Sequence, residues 1–128
     1  MPISFKCKSL PEYLRFEVSG VRVPGKFADE MLQVWARVAD ECRGRGRSRA
    51  LGISSLTGDV PKGDLFRVGQ LAPKLLQEAG CRRLAYVVLG GDEAFHALKF
   101  GETVAVNRGQ VTRVFADEAA AVAWLLEA

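Results

Sequence analysis

The sequence predicts an α/β domain: a mixed β-sheet that opens with an N-terminal hairpin and continues through alternating helices and strands, with about four helices in all. Three observations predict it. Two short segments near the start alternate apolar and polar residues with the period of a half-buried strand, and a turn separates them. Beyond residue 26, stretches with apolar spacings of three and four alternate with short apolar runs. Glycine or proline punctuates most junctions.

Ile3, Phe5 and Cys7 alternate with Ser4, Lys6 and Lys8, a half-buried strand. Ser9 to Glu12 reads as a turn, and Leu14, Phe16 and Val18 form a second strand, antiparallel to the first. Gly20 to Lys26 is a loop broken by Pro24-Gly25. From Lys26 to about Arg43, Phe27, Met31, Val34, Trp35, Val38 and Cys42 line one face of a helix, which Gly44 and Gly46 end. Ala50 to Ile53 is a short strand, and Thr57 to Asp64 is a loop of turn residues. A second helix spans about Asp64 to Ala79, and Pro73 should kink or split it. Leu84 to Leu89 is apolar throughout, as suits a central strand covered on both faces. Gly90-Gly91 stops it. Asp92 to about Phe100 reads as a short third helix, with 103–107 ambiguous between coil and strand. Val111 to Phe115 is the last strand, and Asp117-Glu118 opens a final helix, its acids complementing the positive helix end.

The 128 residues suit one domain, expected over 1–128. A chain of this size buries about two thirds of its unfolded surface, so it needs neither disulfides nor metal to fold. No apolar run approaches the roughly 20 residues that span a bilayer, and Met1 to Lys6 shows no apolar core of a signal peptide. A cytoplasmic protein is expected. Cys7, Cys42 and Cys81 are odd in number, widely spaced and without a CxxC pair, which argues against a disulfide framework or a zinc site. Each adjoins a basic residue, so a lowered thiol pKa is one expectation and a small buried side chain the other. The net charge of +3 is too small to imply nucleic-acid binding.

The C-terminal stretch from Val114 to Leu125 carries a strand ending in Phe115, an acidic cap, and an Ala-rich helix running to Trp124-Leu125. With the strand Arg83 to Val88 and the strand-loop Leu51 to Gly58, it resembles the SpoIIAA-like family, within the STAS fold of anti-sigma-factor antagonists. In STAS regulators a serine or threonine opening the helix after the third strand accepts phosphate from a partner kinase. The corresponding place here reads Lys62-Gly63-Asp64-Leu65-Phe66, without a hydroxyl. The phosphoacceptor-equivalent region is therefore Thr57, Gly63 and Asp64. Asp64 either caps the helix or stands in for a permanent charge. Ser54, Ser55 and Thr57 lie earlier. The family's likeness to CRAL-TRIO lipid carriers implies a pocket for an apolar small molecule and contact with membrane surfaces.

In open parallel sheets, ligands sit beyond the carboxyl ends of the strands. That places the loops Gly20 to Lys26, Thr57 to Asp64 and Gly90 to Glu93 at one pole. Leu65, Phe66, Phe95, Leu98 and Phe100 are the candidates for a pocket or lid there, with plain core packing as their alternative. At the other pole Arg43, Arg45, Arg47, Arg49, Arg82, Arg83 and Arg108 should form a basic patch for an anionic membrane surface or an acidic protein partner, unless they are only a solvated rim. No aromatic residues interleave with them, so nucleic acid is not expected as a partner. Gly90-Gly91-Asp92 lacks both phosphate-loop patterns. His96 is the sole histidine, no GxSxG elbow occurs, and the acidic pairs Asp92-Glu93 and Asp117-Glu118 are explained by helix capping. No catalytic residue, metal or cofactor is assigned. The expected function is a non-catalytic binding domain for a small apolar or amphipathic ligand that touches membrane surfaces. The alternative is a protein-interaction regulator of the anti-sigma-factor-antagonist kind, lacking the usual phosphoacceptor serine.

Overall fold

The computed structural model describes residues 3–127. Their elements follow in the order β1 (Ile3–Ser9), β2 (Leu14–Val21), α1 (Phe27–Arg45), β3 (Arg49–Thr57), α2 (Lys62–Glu78), β4 (Arg83–Val88), α3 (Asp92–Asn107), β5 (Val111–Phe115) and α4 (Glu118–Leu125). The predicted α/β class, with its mixed sheet, hairpin and four helices, is what forms.

The strands lie side by side in chain order. β1 and β2 make the antiparallel hairpin, with Phe5 opposite Val18 and Cys7 opposite Phe16. Every later pairing is parallel. Period-two alternation sorts the side chains of each strand onto two faces. One face carries Leu14, Phe16 and Val18 of β2 with Leu84, Tyr86 and Val88 of β4. It forms the main core with Val34, Trp35 and Val38 of α1 and Leu76 of α2. The other face carries Leu51, Ile53, Ala85 and Val87, closed by Ala121 and Leu125 of α4. Three crossover helices thus share one side of the sheet, and α4 covers the other. β4 is buried on both faces, as its apolar run predicts.

Several boundaries differ from the sequence reading. β2 runs through Gly20, and β3 reaches Thr57, so Ser54 and Ser55 are strand residues and not loop residues. Parallel pairing as far as Val21 opposite Thr57 extends both strands. Gly44 lies inside α1; Gly46, at φ 65°, ends it by sending its N–H to the Cys42 carbonyl. Pro73 does not split α2, which is one helix from Lys62. It does remove the N–H that would bond the Gly69 carbonyl.

The largest correction is α3, which continues through the segment read as coil or strand. Gly101 and β-branched Thr103, Val104 and Val106 hid it, because such residues favour helices weakly in isolation. Tertiary contact decides otherwise. A Cβ at Gly101 would lie 3.1 Å from Leu65 Cδ1, and one at Gly69 would lie 3.0 Å from Val104 Cβ. The two glycines let α2 and α3 approach closely. Asp64 and Asp92 do not cap their helices: Pro61 and Gly91 occupy those positions, and the acids stand in the first turns, where they still complement the helix dipoles. Asp117 does cap α4, accepting the Ala120 N–H at 2.9 Å. Among the described residues no helix is long and apolar enough to cross a membrane.

Candidate functional site

Arg22 follows β2 directly. Its backbone N–H donates to the Thr57 carbonyl at 2.8 Å, which carries the strand's alternation one step further. The side chain therefore points the same way as Phe16 and Val18, under the helices, and is only 5% exposed. Its Nη1 donates to the Gly58 carbonyl at 2.7 Å. Gly58 sits at φ +91°, and a Cβ there would lie 3.2 Å from the Arg22 carbonyl, so the close approach needs glycine. Ser54 and Tyr86, on the two neighbouring strands, reach the same face and are also buried.

These residues are among those lining a partly open cavity of about 80 Å³ between the sheet and α1, α2 and α3. Its walls are mainly apolar: Met31, Leu65, Val68, Ala72, Leu76 and Leu98 among them. Three polar atoms along it are buried without a hydrogen-bond partner: Arg22 Nε, Trp35 Nε1 and Gln110 Oε1. Unpaired buried polar atoms are rare in folded proteins and cost free energy that an occupant would relieve. Burial lowers the pKa of Arg22, because desolvation disfavours its charge. Burial raises the pKa of the Tyr86 phenol, partly offset by a hydrogen bond with Ser54 and by the positive charge of Arg22.

A wider groove of about 960 Å³ lies outside, at the carboxyl pole of the strands. Thr57, Lys62, Gly63, Gly90, Glu93 and His96 contribute to it. Arg22, Leu56 and Leu65 line both spaces and so form the wall between them. Among the sequence candidates, Leu65 and Leu98 line the inner cavity, whereas Phe66 and Phe100 stack at 6.4 Å beside the outer groove, 43% and 48% exposed. Phe95 lines neither space. It packs half-buried against the core, edge-on to His96.

Sequence reading missed Arg22, Trp35, Tyr86 and Gln110 as lining groups. A signal existed for Arg22 alone: an arginine between Val21 and Val23 where a strand ends. Trp35 and Tyr86 read as core, which they also are, and nothing local distinguishes Gln110.

Thr57 and Gly63 border the groove, and the exposed Thr57 donates its hydroxyl to the Gly20 carbonyl at 3.3 Å. Asp64 contributes to neither space, and its Oδ2 is buried without a partner. Ser54 is 2% exposed, out of reach of a kinase in this conformation. Ser55 is exposed and donates to the Val18 carbonyl at 3.3 Å.

The seven arginines stand at the opposite pole, with Arg49 beside Arg83 in register. Several are engaged within the chain. Arg43 pairs with Asp40 at 3.2 Å and Arg45 with Glu41 at 2.7 Å. Arg49 and Arg83 both donate to the Glu127 carbonyl, at 3.3 and 2.8 Å, and Arg83 lies over the Trp124 ring. Those two arginines tie down the end of α4. Arg47 is half-buried, and Arg82 and Arg108 are exposed.

The expected lowering of thiol pKa is corrected for two of the three cysteines. Burial and the nearby Glu41 carboxylate push Cys7 up, despite Arg45 and Arg37. Cys81 is pushed up chiefly by its hydrogen bond with Cys42, and then by burial; the same bond lowers Cys42. Cys42 and Cys81 are both buried and Cys7 half-buried. In native protein at pH 8, Cys7 is expected to be the first thiol alkylated and to react more slowly than free cysteine, since a raised pKa leaves less thiolate. Mass mapping of a timed iodoacetamide reaction checks this; first labelling at Cys42 or Cys81 would contradict it.

No protein-family model matches the chain, and no curated protein matches it.

Proposed function

We propose that the protein is a binding domain that holds a small amphipathic molecule in the cavity between the sheet and α1–α3. The observation that carries this reading is the set of three unpartnered polar atoms, on Arg22, Trp35 and Gln110, along an otherwise apolar interior space. Most buried polar atoms in folded proteins are paired, and three that are not line this one space. Small-molecule sites have this composition: apolar walls with a few polar groups that fix orientation. The outer groove supplies an approach, with the shared wall of Arg22, Leu56 and Leu65 as the point of entry. No histidine or cysteine is among the lining residues of the cavity, so the reading assigns binding and no chemical step.

The test fills the space. Ala72 is buried on α2 and lines the cavity. Ala72→Met places a flexible side chain there, at a stability cost of about 1–3 kcal/mol if it overpacks. A panel of short alcohols, acids and substituted benzenes is titrated into both proteins by NMR. At least one is expected to shift the Trp35 indole N–H resonance in the native chain and to do so at least tenfold more weakly in Ala72→Met. If no compound moves that resonance, or if Ala72→Met binds as well, the cavity is not the site.

A further inference from the structure

Arg22 has no carboxylate within ion-pair distance among the described residues. Its one side-chain partner is the neutral Gly58 carbonyl. Arginine stays charged in proteins, and a cation taken out of water without a counter-charge is strongly unfavourable. The acid among the cavity's lining residues is Glu102, and it is already occupied. Its Oε1 accepts the Val114 N–H at 2.6 Å and the Lys99 ammonium at 3.1 Å. It is therefore not the missing partner.

Other polar groups lining the same space extend the argument. Trp35 Nε1 can only donate, and the hydroxyls of Ser54 and Tyr86 can donate as well. The same space thus holds these donors and, at the wall shared with the outer groove, the one uncompensated positive charge of Arg22. The wall beyond it is apolar, through Val68, Ala72 and Leu76.

We infer that the ligand is a small monocarboxylic acid, bound as its anion, with the carboxylate on Arg22 and the hydrocarbon body along α2. This rests on the binding reading above and names its ligand class. A water needs roughly 10–15 Å³ on this scale, so about 80 Å³ suits an acid of short chain. Carboxylate matches guanidinium better than a neutral head can, because each hydrogen bond is charge-assisted.

The test compares heads on one chain length. Hexanoate, hexan-1-ol and hexylamine are titrated at pH 7 while the Trp35 indole N–H resonance is followed; Trp124, on the far face, serves as internal control. Hexanoate is expected to bind about ten- to a hundredfold more tightly than hexan-1-ol, and hexylamine more weakly still. In Arg22→Gln the ratio of hexanoate to hexan-1-ol affinity should fall to near one, and in Arg22→Lys it should remain above one. Hexan-1-ol binding as tightly as hexanoate, or Arg22→Gln keeping the preference, overturns the carboxylate inference and leaves the cavity reading standing. If neither hexanoate nor hexan-1-ol moves Trp35, and xenon does not either, both fall. Circular dichroism and the unchanged Trp124 resonance establish that Arg22→Gln is folded.

Discussion

Gly52→Ala is expected to destabilise the protein by about 1–3 kcal/mol, near the upper end, with a fall in Tm on the order of 10 °C. Gly52 lies at the centre of β3, opposite Phe16 on one side and Tyr86 on the other. A Cβ there would sit 2.7 Å from Phe16 Cε2 and 2.8 Å from Tyr86 Cδ1, closer than real Cβ contacts. The rings cannot retreat freely. Phe16 is edge-on to Trp35 at 5.5 Å, and Trp35 contacts Tyr86 at 5.6 Å. The missing methyl is thus the space in which three aromatic residues of the core interlock. Phe16→Leu shortens the obstructing side chain, so Gly52→Ala/Phe16→Leu should be more stable than the sum of the single changes implies. The coupling should be at least about 0.5 kcal/mol. Urea denaturation of the four proteins measures it. Strict additivity would mean that the backbone of β3, and not the ring contact, limits this position.

Arg22→Met is expected to make the empty protein more stable, by about 1–3 kcal/mol. The change removes a buried cation that lacks a counter-charge and leaves an apolar stem of similar length under the helices. It also removes the hydrogen bond to the Gly58 carbonyl, but Gly58 is exposed and water can take that place. The midpoint of urea unfolding should rise without a change in slope. A gain of this kind marks a residue kept for what it binds, since sites that serve function commonly hold stability below its optimum. A lower midpoint would instead make Arg22 a structural tie between the end of β2 and the turn after β3.

The fold was legible where local pattern and tertiary demand agree. Ile3, Phe5 and Cys7 alternate as an isolated hairpin strand would, and they pack as one. Residues 84–88 are apolar without a break because helices cover both faces of β4. Asp117 stands where a cap is needed and acts as one. Legibility failed where a distant contact outweighs local preference. Gly101 looks like a helix end until Leu65 is seen against it, and Pro73 looks like a break until α2 is seen to continue through it. The gathering of glycine turns at one pole and arginines at the other followed from parallel crossovers, and the register places them so. The inner cavity did not follow, because its polar groups come from the residue after β2, α1, β3, β4 and the turn before β5. No window of sequence contains two of them at an informative spacing. Phe66 and Phe100 are large apolar residues off the buried faces of α2 and α3, and that property puts them outside, beside the groove.

The chain-order arrangement of the strands has a kinetic consequence. Each strand docks onto the one made just before it, so no segment must wait for a distant partner or be inserted between strands already joined. Assembly can advance from the hairpin one crossover at a time, and the entropy of closing each loop stays close to the minimum for parallel pairing. The last unit lies at a sheet edge: β5 pairs with β4 alone, and α4 is fastened by its packing on β3 and β4 and by the Glu127 clasp of Arg49 and Arg83. Hydrogen exchange should therefore find that edge opening first, ahead of the β2–β4 centre.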